Sequence, residues 1–271
     1  MTEQPPSRPE PTDRPGLPRV RAWLRTTWPM LLVAAACGYG WGWWTGQHRD
    51  AGPPTPSTAV QRAPAAPHVP HLADFGADHP SADARHVANW VVDSGDDQGK
   101  SFVVVDKKGA RVYLFDNTGH LLASAPALLG AAVGDDPVPG IGEKPLSQVR
   151  PEEKTTPAGR FVAEPGVNAG GEDVVWVSYD LAVSMHRVRP LVKAERRLQR
   201  LASPTPKDNR ISFGCINLPV AFYEKALKPT VDRTGAIIYV LPETRTPQEQ
   251  FGSYEVGDPA QLAGLAAASV K

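Results

Sequence analysis

The chain has 271 residues, with 29 lysines and arginines balanced by 29 aspartates and glutamates. That length suits one ordinary domain with appendages, and the charge balance excludes any global pull toward nucleic acid or a strongly charged partner. The two cysteines, Cys37 and Cys215, lie in such different settings that a disulfide framework is excluded as the organising principle.

Of the 29 prolines, six fall within residues 1–18 and six more within 52–70. Both stretches are too poor in large apolar residues to fold, so 1–27 is expected to be a disordered cytoplasmic N-terminus and 47–72 a semi-extended Pro/Ala-rich linker. Between them, residues 28–46, "WPMLLVAAACGYGWGWWTG", carry no charge and follow Arg14, Arg19, Arg21 and Arg25. The 17 residues from Trp28 to Trp44 would span roughly 26 Å as a helix, short but sufficient for a bilayer core. Trp23 and Trp28 sit at the near end and Trp41, Trp43 and Trp44 at the far end, as interfacial anchors do. The reading is a single-span anchor in the inner (cytoplasmic) membrane, arginines inside, with everything after Gly46 exported to the periplasm. A cleaved signal peptide and a lipoprotein signal ending at Cys37 are the alternatives; the tryptophans beyond Cys37 argue against both.

A helical lead-in is expected over 73–100. In "SADARHVANWVVDS" the residues Ala84, Val87, Ala88, Val91 and Val92 recur at helical spacing, and Ser81 is placed to cap the N-terminus. From Ser101 the pattern turns to strands. "FVVVD" and "RVYLFD" flank "KKGA", a hairpin signal, and Asn117-Thr118-Gly119 makes a second turn into "HLLASAPALLG". Residues 173–188, 211–217 and 236–242 supply further strands. Within the domain, helix is expected only over 191–201, as a surface helix, and over 219–227, which begins with proline in its first turn. Many short strands with few helices give a mainly β fold, a sandwich or barrel. The Gly-, Pro- and charge-rich stretch 130–158 is too long for an ordinary connection and reads as a lid or binding loop, or as a disordered insertion. The tail 243–271 ends in "AQLAGLAAASVK", a candidate terminal helix.

Cys215 stands in "ISFGCINLP", directly after a glycine. A thiol attacks as thiolate, so a working cysteine needs partial exposure and a proton acceptor, most often histidine. His48, His68, His71 and His79 lie in or beside the linker, His86 in the lead-in helix and His120 after a turn. Only His186, in "AVSMHRV", falls on an expected core strand of the same domain. Free cysteine is commonly an inert core residue and a lone histidine commonly structural. Against that, Gly214 removes a side chain where a carbonyl would approach and frees backbone amides for an oxyanion.

The run Ser212-Phe213-Gly214-Cys215-Ile216-Asn217 resembles the active-site signature of the L,D-transpeptidases, bacterial enzymes that remodel peptidoglycan. That signature reads Ser/Thr-His-Gly-Cys, an apolar residue, then Asn or Arg, with a catalytic histidine upstream. The resemblance spans roughly 101–242 and takes in the opening "FVVVDKKGARVYLFD" and Thr156-Pro157-Ala158-Gly159-Arg160-Phe161. It implies an L,D-transpeptidase-like β domain in which Cys215 is the acylated nucleophile and His186 the general base and acid, oriented by a backbone carbonyl. Ser212 and Gly214 would shape the nucleophile loop, with the amides of Gly214 and Cys215 holding the oxyanion. Asn217 would order that loop or meet substrate; Arg187, Arg189 and Arg210 flank the motifs and are candidates to pair with stem-peptide carboxylates, or plain solvated strand-end arginines.

The implied reaction is acyl transfer from a stem tetrapeptide, releasing D-alanine, to an amine or to water. It needs no cofactor and no metal, and carbapenem-type inhibitors are expected to acylate the thiol. Asp135 and Asp136 are candidates to meet the acceptor amine, or plain surface turn residues. Two features depart from the signature: Phe213 replaces the histidine before Gly-Cys, and the interval from His186 to Cys215 is long. A wall-binding or regulatory domain without turnover, and a different Cys–His amidase of wall peptides, are the rival readings.

Overall fold

The computed structural model describes residues 69–257. The expected N-terminus 1–27, the membrane span 28–46, nearly all of the linker and the candidate terminal helix lie outside the described residues. Among the described residues no helix is long and apolar enough to cross a membrane.

Two sheets face one another. The first has strand order β3-β2-β1-β11-β5, from β1 (Ser101–Asp106), β2 (Arg111–Phe115), β3 (Leu121–Pro126), β5 (Gly159–Val162) and β11 (Ala236–Val240). The second has order β10-β8-β7-β6, from β6 (Glu164–Val167), β7 (Asp173–Ser178), β8 (Val183–Arg187) and β10 (Ile216–Leu218). A two-stranded parallel ribbon joins β4 (Leu129–Gly130) to β9 (Arg210–Ser212). The "KKGA" hairpin forms as its turn residues dictate, with β1 and β2 antiparallel from Phe102↔Phe115 to Asp106↔Arg111.

The first sheet is covered on both faces, so every residue of β1 is buried. Val103, Val105, Val112, Leu114 and Ile238 meet Val175, Met185, Ile216 and Leu218 across the sandwich. Phe102, Val104, Tyr113, Phe115 and Tyr239 face the other way, against helix α1 (Ala82–Ser94). In α1 the Ser81 hydroxyl accepts the Ala84 N–H, and Gly95 closes the helix at φ 67°. Its buried stripe is Ala84, Val87, Ala88, Trp90 and Val91. Trp90 also stacks on Phe251 of a short helix within residues 243–257, so the folded body continues past residue 242.

Three expectations need correction. The surface helix over 191–201 shrinks to α2 (Arg197–Leu201), because Val192 is extended and Arg196 adopts left-handed backbone at φ 52°. Leu191 and Val192 are thereby freed to line a cleft. The helix expected over 219–227 runs on instead, as α3 (Val220–Phe222), a π-helical turn (Tyr223–Leu227) and α4 (Lys228–Thr234). Pro229 would clash with the carbonyl four residues back in a regular helix, and the wide π turn just before it relieves that conflict. The stretch 130–158 is structured rather than a loose insertion. It holds three 3₁₀ turns (Ile141–Glu143, Leu146–Gln148 and Pro151–Glu153) and is pinned to the domain at Asp135 and Thr156.

Candidate active site

Cys215 and His186 are 29 positions apart in the chain, and strand pairing brings them together. β10 lies parallel to β8 with Ile216 opposite Met185 and Asn217 opposite His186. Parallel neighbours need a crossover of a dozen or more residues, and residues 188–215, with α2 and β9, provide it. Met185 and Ile216 point into the core, so by alternation Ser184, His186, Cys215 and Asn217 share the outer face.

The thiol is partly exposed. Its Sγ lies 3.6 Å from the Ala182 carbonyl oxygen and accepts from the Ser184 hydroxyl at 3.7 Å. Ala182 holds left-handed backbone at φ 51°, a strained conformation for a residue with a side chain, and this turns its carbonyl onto the sulfur. Burial pushes the thiol up, but a hydrogen bond with the His186 side chain and attraction to its charge outweigh that, with help from Ser184; the net pKa falls below the ordinary value. His186 Nδ1 sits 2.8 Å from the Arg187 carbonyl oxygen. A carbonyl only accepts, so Nδ1 carries the proton and Nε2 is the nitrogen left to take one.

The loop around the sulfur is fixed by side chains. Ser212 Oγ donates to the Cys215 carbonyl at 2.6 Å and accepts the Gly214 N–H at 3.1 Å. Gly214 has φ 138°, and a Cβ there would lie 2.7 Å from the Thr155 carbonyl oxygen, so only glycine fits. Thr156 Oγ1 donates to the Gly214 carbonyl at 2.8 Å. Asn217 is 1% exposed; its Nδ2 donates to the Cys215 carbonyl and its Oδ1 accepts from Arg197 at 2.6 Å. Because the Gly214 N–H is committed to Ser212, the amide free of partners among the described residues is that of Cys215.

His186, Cys215 and Phe213 line a cleft of about 320 Å³, whose rims are Leu146 from the 130–158 stretch and Leu191 and Val192 from the crossover. A second cleft, of about 230 Å³, is lined by Asp173 and Val220 and shares His186, Arg189 and Leu191 with the first. The signature's three candidate arginines are placed differently. Arg187 pairs with Asp173 and Glu224 and lies over the Tyr223 ring, its carbon 4.4 Å from the centroid. Arg189 borders both clefts and pairs with Glu172. Arg210 turns away to Glu243 and to the Lys107 carbonyl.

Asp135 is not a surface turn residue and does not face the cleft. It is buried, accepts from Lys107 at 2.9 Å, and takes the N–H groups of Glu243 and Thr244. Asp136 is exposed and pairs with Arg245. Sequence reasoning missed Arg197 and the Lys107–Asp135 pair. Lys107 is 0% exposed in a chain position that reads as an ordinary hairpin lysine, so no local signal marks it. Among the described residues no group of histidine, cysteine, aspartate and glutamate is placed to hold a metal ion.

No family model matches the chain, and no curated protein matches it. Among solved structures, it is similar to the catalytic domain of an E. faecium L,D-transpeptidase, determined by NMR, at 17% identity and a TM-score of 0.31. That likeness covers 53% of this chain and 98% of the other. It is also similar to the helical cell shape determining protein Pgp2 from Campylobacter jejuni, at 16% identity and a TM-score of 0.32, covering 69% of this chain and 62% of that one.

Proposed function

We propose that this protein is a peptidoglycan L,D-transpeptidase, a cysteine acyltransferase acting on stem tetrapeptides. The observation that carries the reading is that Cys215 and His186, whose Nδ1 is fixed by the Arg187 carbonyl, line the same open cleft. The six-residue signature around Cys215 supplies the substrate class.

In this mechanism His186 Nε2 takes the thiol proton, and Sγ attacks the carbonyl of the third stem residue, taken to be meso-diaminopimelate. The tetrahedral oxygen receives the Cys215 N–H, which has no other acceptor among the described residues. His186 returns the proton to the departing amine of D-alanine, leaving a thioester on Cys215. An acceptor amine, or water, then attacks the thioester while His186 takes its proton, and the thiolate leaves. Two clefts that share His186 suit a donor and an acceptor peptide. Export past the span at 28–46 would put the domain in the compartment where stem peptides occur.

Incubating the full chain with tetrapeptide muropeptides tests this. Released D-alanine with cross-linked dimers or trimmed tripeptides is expected, and both vanish in Cys215→Ala and His186→Ala. Tetrapeptides that persist, or cleavage at another amide, would overturn the assignment.

A further inference from the structure

The arginines around the two reacting residues are already neutralised. Arg187 is held by Asp173 and Glu224, Arg189 by Glu172, Arg197 by Glu195, and Arg210 by Glu243. Lys154 differs. Among the described residues it has no carboxylate within ion-pair reach, and its ammonium nitrogen lies 4.0 Å from the centroid of the Phe213 ring. A ring face attracts a cation through its quadrupole but offers no lone pair, so the three N–H donors of that ammonium stay available to a ligand.

The lysine is held in place by its backbone. Its carbonyl accepts the Ala132 N–H at 3.0 Å, and the next carbonyl, that of Thr155, lies tight against Gly214. The ammonium is thus fixed beside the nucleophile's own loop. Phe213 is 39% exposed and shares its cleft wall with Cys215. Histidine at this position would bring donors of its own and, when protonated, would repel the lysine; phenylalanine seats it. An unneutralised cation held on an aromatic ring that lines the cleft is a recognition element for an anion.

We propose that Lys154, seated on Phe213, is a carboxylate-binding subsite of this cleft and that it reads a carboxylate of the acyl-donor peptide. The identity of that peptide rests on the acyl-transfer reading above; the subsite rests on the geometry of Lys154. In a stem tetrapeptide two carboxylates flank the bond that is cut, the C-terminal carboxylate of D-alanine and the carboxylate on the side chain of diaminopimelate.

Binding of three tetrapeptides to the full chain carrying Cys215→Ala, read by calorimetry, decides between them. The first is the free acid, the second its C-terminal amide, and the third has lysine in place of diaminopimelate. Losing the carboxylate that Lys154 reads should weaken binding by about tenfold or more, the scale of a charge-assisted hydrogen bond. Lys154→Met should abolish that preference, and Lys154→Arg should keep it. No binding, equal affinity for the three peptides, or a preference that survives Lys154→Met overturns the proposal. Carbapenem acylation of the unsubstituted chain, read by intact mass, reports on the nucleophile separately. Its absence counts against the acyl-transfer reading while the binding arms still decide Lys154.

Discussion

Thr156 Oγ1 donates a 2.8 Å hydrogen bond to the carbonyl of Gly214, and the same oxygen accepts the Gly130 N–H at 2.9 Å. One hydroxyl, 0% exposed, therefore ties the start of the 130–158 stretch to the residue before Cys215. Thr156→Val keeps the shape but leaves two buried backbone groups without partners, and should cost about 2–3 kcal/mol of stability. Acylation of Cys215 should slow as its loop loosens, while Thr156→Ser should retain both properties. Denaturant unfolding and carbapenem acylation rates measure the two effects; a valine variant equal to the parent in both would refute the coupling.

The thiol of Cys215 titrates below its ordinary value because its contact with His186 outweighs burial. Its alkylation rate by iodoacetamide should accordingly rise through an inflection below that of a free cysteine. Without the imidazole, burial alone remains, so His186→Ala should move the inflection above that value and slow alkylation at pH 7 by about tenfold or more. An inflection unmoved by the substitution would mean that the two side chains are not coupled.

Glu153 fastens the 3₁₀ turns of the 130–158 stretch. Lys144 donates to it at 2.6 Å, and the Arg150 N–H and guanidinium donate at 2.8 and 3.0 Å. The Lys144 bond first, and then those from Arg150, hold the carboxyl at about 2, below its usual 4.5. A depressed carboxylate contributes stability in full above its unfolded pKa and loses it as pH falls toward the folded one. The stretch should therefore loosen between about pH 4.5 and 2, and Glu153→Gln should loosen it already at pH 7. Amide exchange over residues 141–155, faster in the variant by about tenfold, is the expected readout.

The strands with strong local signals could be read directly from the chain. The hairpin of β1 and β2, the capped helix α1 and the β11 segment depend on turn residues, caps and alternation, which act over a few positions. Cys215 and His186 stood out as candidates, one by its glycine neighbour and the other by elimination, and both line one cleft. What was hidden is non-local. The parallel pairing of β8 with β10 is made across a crossover, and nothing in either strand announces its partner. Arg196 in left-handed backbone and the π turn before Pro229 are local conformations that tertiary packing selects against ordinary propensity. Asp135 looked like a turn aspartate because its partners, Lys107, Glu243 and Thr244, are 28, 108 and 109 positions away.

That buried pair gives a test of how the 130–158 stretch is anchored. Lys107 Nζ donates to the Gly134 carbonyl, to Asp135 Oδ1 and to the Thr156 carbonyl, so one ammonium holds both ends of the stretch. Burial pulls its pKa down to about 8 despite the attraction of Asp135. An unfolded lysine titrates near 10.4, so between about pH 8 and 10.4 the unfolded chain holds a proton that the folded chain has shed. Stability must rise with pH across that window on account of this group. Lys107→Met removes the charge but strands Asp135, still bound by Thr244 and the Glu243 N–H, in the interior. With its buried partner gone and only the Arg245 guanidinium left, 3.7 Å away, the carboxylate should lower stability by about 3 kcal/mol at pH 7, and the rise above pH 8 should vanish with the ammonium that caused it. Unfolding curves at pH 7, 8.5 and 10 separate the two effects: a variant that keeps the alkaline rise would assign it to another group.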